Sequence, residues 1–249
     1  MTILVVSKKS LYEIYRNSPD DDAQQYVQKH EADLQASHEE QQRTLENVLD
    51  ELQKLGFPAK EIYRAHLPEE DLSTYELVIP VGGDGTFLEV SHYVQDTPLL
   101  GVNSNPVRSV GFFCCATRKT IGEVLRQLEQ TPRTMLHRLQ LVCNEIEIPE
   151  LVLNDVLFAH TNPAANTRFT LEVNKQQHMY RGSGGLLACT AAGSTAWMWQ
   201  LGGKIMPLNS QELQYKVRDV RGEDTHFADK LKIISQCREG RLYIDGEHL

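Results

Sequence analysis

The stretch VIPVGGDGTFLEV, residues 78–90, runs four apolar positions into Gly82-Gly83-Asp84-Gly85-Thr86 and then resumes an apolar pattern. It predicts a buried strand ending at Val81–Gly82, a turn stripped of side chains around one carboxylate, and a helix beyond it with Phe87, Leu88, Val90 and Val94 as its apolar face. Glycines accept positive φ and leave no Cβ in the way. The N–H groups of such a turn can therefore close on phosphate oxygens, helped by the positive end of the following helix. On that reading Gly82, Gly83, Gly85 and Thr86 form a phosphate cradle. Asp84 is the odd member, because a carboxylate beside phosphates repels them unless it holds a metal ion or accepts a proton from a hydroxyl. The bland alternative is a tight turn in which Asp84 caps the next helix.

The rest of the chain supplies a frame. TILVV (2–6) reads as a short buried strand. Between Asp20 and Gly56, Leu45, Val48, Leu49, Leu52 and Leu55 recur at helical spacing, and Gly56 and Pro58 close the helix. The earlier part, DDDAQQYVQKHEADLQASHEEQQ, is polar on nearly every face and fits a projecting helix or a mobile excursion. TYELVIPVGG is the second strand and TPLLGVN (97–103) the third. TRKTIGEVLRQLEQT is the third helix, with Ile121, Val124, Leu125 and Leu128 in register. Strands alternating with helices imply a parallel sheet covered on its faces, and ligands of such sheets sit beyond the carboxyl ends of the strands, where Val81–Gly82 lies. After Pro132 the segments TMLHRLQLVC, LVLNDVLFAH, TRFTLEV, KLKIISQC and GRLYIDG are short, apolar and divided by Asn, Pro and Gly, which reads as antiparallel strands. The expectation is an α/β nucleotide-binding domain over residues 1–134 and a β-rich domain over 135–249, without internal repeats.

Composition excludes some classes. The chain has 249 residues and a formal net charge of −9. No run of Lys and Arg offers the clustered cations that nucleic-acid binding requires, so no nucleic-acid partner is expected. The five cysteines lack CxxC spacing and read as reduced core thiols, not as a disulfide framework or a zinc site. Nor do the histidines, His92, His137, His160 and His178 among them, show ligand spacing. MTILVVSKKS lacks the order of a signal peptide and no stretch reaches membrane-spanning length, so a cytoplasmic address and no membrane partner are expected. Walker-type and GxGxxG phosphate motifs are absent. Arg108, after the third strand, is the candidate cation for phosphate, with a plain surface arginine as its alternative.

GGDGT (82–86), GVNSNPVRSVGFF (101–113), LNDV (153–156) and CTAAGSTAWMWQLGG (189–203) occur in the order and rough spacing of the NAD kinase family. The chain resembles that family, and NSNPVRSVG together with SKKSLYE is more similar to the branch containing mitochondrial NAD kinases. The resemblance implies an α/β domain joined to a sandwich-like β-rich domain, with NAD between them. It implies that ATP, with Mg2+ or another divalent cation, phosphorylates the 2'-hydroxyl of the adenosine ribose. Asp84 falls on the catalytic aspartate. Leu88, Phe112, Asn154, Asp155, Thr195, Ala196 and Trp197 fall on NAD-contacting positions, and a homodimer or homotetramer is implied.

Three departures stand out. Asp155 replaces a glutamate and Trp197 a tyrosine. Ser183-Gly184-Gly185 replaces Gly-Asp-Gly, so a carboxylate expected at Gly184 is missing. The last segment, LYIDGEHL, is expected to return to the first domain or to be cut short. Two alternatives stay open: a lipid kinase of the diacylglycerol or sphingoid-base type, which shares GGDGT, and a non-catalytic nucleotide sensor on the same scaffold. Trp199, and Cys114 and Cys115 beside Phe112 and Phe113, read as packing.

Overall fold

A computed structural model describes residues 1–248, and the chain divides into two compact units, Met1–Pro132 and Arg133–Leu249. The first contains, in order, β1 (Ile3–Ser7), α1 (Leu11–Arg16), α2 (Asp21–Lys54), β2 (Ala59–Tyr63), β3 (Leu77–Gly82), α3 (Asp84–Ser91), β4 (Gly101–Asn103), β5 (Cys114–Thr117) and α4 (Ile121–Arg126). Its five strands pair in the order β2-β1-β3-β4-β5, all parallel. Every residue of β1 is buried, as a strand covered on both faces requires. Ile3 and Val5 pack with Val48, Leu52, Ile79, Ile121 and Leu125, whereas Leu4 and Val6 pack with Ile62, Leu67, Val78, Val90 and Val94 on the other face. That is the alternation of a pleated strand serving two layers.

Helix α2 runs 34 residues, with a break in its dihedral angles at His30. Its C-terminal end is a Schellman turn. Gly56 sits at φ +74, its N–H donates to the Gln53 carbonyl at 3.0 Å, and the Phe57 N–H donates to the Leu52 carbonyl at 3.0 Å. The polar N-terminal half is helical because α1 packs along it. Val27 and Leu34 are buried, Tyr15 meets Tyr26 edge-on at 5.9 Å, and Ser10 caps α1 while bonding His38 at 3.0 Å.

The second unit contains β6 (Val142–Cys143), β7 (Ile146–Glu147), β8 (Asp155–His160), β9 (Thr167–Val173), β10 (Gln176–Ser183), β11 (Leu186–Cys189), α5 (Trp197–Gln200), β12 (Leu213–Val217), β13 (His226–Ala228), β14 (Lys232–Ser235), β15 (Gly240–Ile244) and β16 (Glu247–His248). A six-stranded sheet β13-β12-β11-β8-β15-β16 packs on a three-stranded sheet β10-β9-β14, all pairs antiparallel, with β6-β7 as a separate hairpin. Val156, Phe158, Leu186 and Ala188 face Phe169 and Leu171 in the main core. Leu157, Ala159, Leu187 and Cys189 face the other way and pack on Met198.

Some expectations change. Of TMLHRLQLVC only Val142–Cys143 is strand, and Met135 is exposed. The expected third helix is confined to Ile121–Arg126. Among the cysteines only Cys189 is buried; Cys115 and Cys143 are exposed, so the expectation of core thiols fails for them. The last described strand pairs with β15 in the second unit's own sheet. No described helix is long and apolar enough to cross a membrane.

Candidate active site

In the first unit the chain leaves β1 for β2 on one side of the sheet and reaches β3 on the other. The strand order therefore reverses between β1 and β3, and in open α/β sheets ligands bind in the crevice at the carboxyl ends of such strands. The residues that follow those ends are Lys8 on one side and Gly83-Asp84 on the other.

The GGDGT turn opens α3, but Asp84 does not cap it. Gly83 occupies the N-cap position and no side chain caps the helix. The Asp84 carboxylate turns instead to the loop after β4, where its Oδ1 accepts the Phe113 N–H at 2.9 Å, and its second oxygen has no partner among the described residues. The capping alternative is thereby displaced. That loop is braced from below by the buried Asn103, whose amide donates to the Ser109 carbonyl at 3.0 Å and accepts the Asn105 N–H at 3.0 Å. Gly111 stands at φ +64, with the Asn103 amide where a Cβ would lie.

The glycines of the turn differ in what surrounds them. A Cβ on Gly82 would lie 2.2 Å from Thr86 Oγ1, and one on Gly83 would lie 2.5 Å from Ser109 Oγ, so close packing accounts for both. Gly85 is exposed, and a Cβ there would meet nothing within 4 Å. Packing within the described chain gives no reason for glycine at that place. Thr86 is buried and its N–H donates to the Gly83 carbonyl at 3.0 Å, so it holds the turn together. The unbonded N–H groups of the first helical turn belong to Asp84 and Gly85.

Arg108 is engaged. Its guanidinium pairs with Asp33 of α2 at 2.9 Å, both groups well exposed, which matches the surface-arginine alternative. Leu88 is half-buried on α3. Phe112 is partly exposed and meets Phe113 edge-on at 5.2 Å, while Phe113 stacks on Phe87 at 5.1 Å. Cys114 is near enough to Asp84 to feel its charge: burial, then Asp84, pushes the thiol up to about 12. Sequence reasoning passed over Lys8, a half-buried lysine beside Cys114 and Arg64. Its signal was its place, one residue past the first strand of a parallel sheet.

In the second unit the two other motifs come together. Asp155 opens β8 directly after Asn154, and Cys189 at the end of β11 pairs with Asp155. The Thr190 N–H donates to the Asn154 carbonyl at 2.9 Å, and Gly193 lies so close that a Cβ would fall 2.0 Å from that carbonyl oxygen. The turn from Thr190 to Gly193 is thus folded against Asn154, and Thr195, Ala196 and Trp197 follow it in the chain. Asp245 fastens the start of β8 by accepting the N–H groups of Leu153, Asn154 and Asp155 at 2.9, 2.7 and 2.9 Å. Asp155 is buried, and desolvation, reinforced by Asp245, raises its carboxyl to about 6. Asn154 Oδ1 is buried without a hydrogen-bond partner among the described residues, an arrangement expected where a ligand completes the site. The Arg218 guanidinium lies over the Trp197 ring at 4.8 Å. Beside Gly184 lies the carboxylate of Asp219, a residue held at φ +59, with its Oδ2 1.7 Å from where a Gly184 Cβ would stand.

The chain matches the model of the ATP-NAD kinase N-terminal domain over residues 3–133. It is 34% identical over 210 residues to a probable NADH kinase of Oryza sativa subsp. japonica, a match covering 70% of this chain and 64% of the rice protein's length. It is 25% identical to the mitochondrial NAD kinase 2 of Rattus norvegicus, covering 95% of this chain and 73% of that one. The crystal structure of an NAD kinase from Archaeoglobus fulgidus in complex with ATP shares the fold, with a TM-score of 0.67 at 17% identity over all of this chain and 86% of that one. The lipid-kinase alternative finds no support in these matches. Joined to a glycine turn that follows the strand at the reversal point of the sheet, they settle the descent: the chain belongs to the NAD kinase family.

Proposed function

We propose that the chain transfers the terminal phosphate of ATP to the 2'-hydroxyl of the adenosine ribose of NAD, forming NADP and ADP. The observation that carries this reading is the Asp84 carboxylate, one oxygen fixed by the Phe113 N–H and the other unbonded, at the mouth of the sheet. A fixed carboxylate with a free oxygen suits the proton of an attacking hydroxyl. As the oxygen of the ribose forms its bond to the γ-phosphorus and the bond to ADP breaks, that proton passes to Asp84. In a loose transition state the base contributes modestly and alignment contributes most, so the braced loop and turn matter as much as the carboxylate.

The Asp84 and Gly85 N–H groups, at the positive end of α3, are placed to take donor oxygens, and Gly82, Gly83 and Thr86 keep the turn in shape. The described residues gather no group of three or more His, Cys, Asp or Glu able to hold a metal ion. Asp84 would be the carboxylate available to a divalent cation such as Mg2+ brought with the donor, and such an ion would neutralise phosphate charge there. In the second unit, Asn154 Oδ1 is an unmet acceptor for a ribose hydroxyl, Trp197 offers a ring face for a base, and Asp219 supplies the carboxylate that the sequence lacks at Gly184. Asn154, Trp197 and Asp219 are assigned to NAD.

Purified protein given NAD, ATP and Mg2+ should form NADP, read by an NADP-specific dehydrogenase, in step with ADP. Running NADH beside NAD ranks the two acceptors. Saturable NAD binding without NADP would replace the reading with the sensor.

A further inference from the structure

We propose that Lys8 is the cation that binds the donor's phosphates, reaching them from the carboxyl end of β1 across the crevice from the glycine turn. The inference rests on the phosphotransferase reading of that turn and extends it to a residue outside the turn itself.

Three observations support it. The first is place. Strands β1 and β3 pair in parallel with Val6 opposite Pro80, and continuing that register by two residues brings Lys8 level with Gly82. Neighbouring strands lie about 4.8 Å apart, so the backbone of Lys8 borders the turn that carries Asp84. The connection is held: the Gln41 amide of α2 donates to the Lys8 carbonyl, and Ser10 caps α1 two residues on.

The second is the state of the other cations. Arg64 is paired with Glu89 at 2.6 Å, Arg108 with Asp33 at 2.9 Å and Arg118 with Glu40 at 3.0 Å, while Lys9 is exposed over the Tyr63 ring at 5.0 Å. Lys8 is half-buried, and no carboxylate lies within ion-pair distance of its ammonium among the described residues. Leaving a half-buried ammonium unpaired is costly unless a ligand pairs it. Burial, and next the Arg64 guanidinium, pull it below the usual lysine range, and the neighbouring Cys114 thiol stays neutral, since burial and Asp84 push it up to about 12.

The third is demand. A triphosphate brings several negative charges to a chain of net charge −9, beside a carboxylate that must stay ionised to accept a proton. The turn's N–H groups supply partial charge only, and an ammonium meets the remainder as a compact point charge.

The test is calorimetric titration of parent, Lys8→Met and Lys8→Arg with magnesium tripolyphosphate, with magnesium ATP and, separately, with NAD, beside NADP formation. The expected result is tripolyphosphate and ATP binding weakened about 10- to 100-fold in Lys8→Met, as loss of a charged hydrogen bond implies, largely recovered in Lys8→Arg, with NAD affinity unchanged in both. Tripolyphosphate binding by Lys8→Met equal to the parent's would overturn the proposal. So would equal losses in Met and Arg variants, or a parallel loss of NAD binding, since either marks a structural role. A parent that makes no NADP yet holds tripolyphosphate through Lys8 keeps this site and defeats only the assignment of the acceptor.

Discussion

Replacing Gly85 by alanine separates the two reasons a glycine can have for standing in the phosphate turn. Gly85 is the second residue of α3, exposed, and an added Cβ would meet nothing within 4 Å. Alanine is favoured over glycine in a helix by about 1 kcal/mol, so Gly85→Ala should raise stability by about 0.5–1 kcal/mol. Gly82→Ala should act oppositely, because its Cβ would lie 2.2 Å from the buried Thr86 hydroxyl; overpacking of that kind costs about 1–3 kcal/mol. Urea unfolding followed by far-ultraviolet circular dichroism reads both. If Gly85 is bare to admit a phosphate, the stabilised Gly85→Ala protein should bind magnesium ATP about tenfold or more weakly while keeping its NAD affinity, a loss of roughly one charge-assisted hydrogen bond. A Gly85→Ala protein that is more stable and binds ATP as the parent does would refute the assignment of this residue to the donor.

Asp155 should make the second unit pH-sensitive. Its carboxyl stands at about 6 against an ordinary 3.8, so the ionised form costs the folded state about 3 kcal/mol at about 1.4 kcal/mol per pH unit. Well below pH 3.8 the group is protonated in both states and nothing is lost. From there to about pH 6 the unfolded chain ionises first, and stability falls as pH rises. Asp155→Asn should therefore come nearest the parent well below pH 3.8 and exceed it above pH 7. Fluorescence of Trp197 and Trp199, both in this unit, follows the urea midpoint, and a gap that does not change with pH contradicts the argument. Asp219→Gly should weaken NAD binding about tenfold, and adding Gly184→Asp, which Asp219 otherwise blocks, should restore it; NAD titration in which neither change matters removes Asp219 from the site.

Much of this architecture was legible because burial wrote it into the pattern. The continuous ILVV of β1 and LVI of β3 can only be strands covered on both faces, and Leu45 to Leu55 followed by Gly56 marks a helix and its end. Strand β2 escaped because AKEIY lies at the sheet edge with a single buried residue, and β5 because CCAT is short and half-exposed. The first half of α2 looked unanchored since its partner, α1, is a separate helix whose Tyr15 and Ser10 meet it only in three dimensions. The same division holds at the site. Asp84 was legible from its glycines, whereas the carboxylate over Gly184 comes from Asp219, far along the chain, and Arg108 was sought for phosphate without sight of Asp33. A lysine after a strand reads as a surface residue until the strand order shows that it borders the crevice.

The central claim, that Asp84 accepts the proton of the 2'-hydroxyl during transfer, is tested most directly by Asp84→Asn measured for NADP formation and for NAD binding in one set of conditions. The amide fills the same space and can still accept the Phe113 N–H through its carbonyl oxygen, but it has no basic oxygen to offer the substrate. Turnover lowered about a hundredfold or more with NAD affinity retained is the predicted result; near-parental turnover would contradict the account.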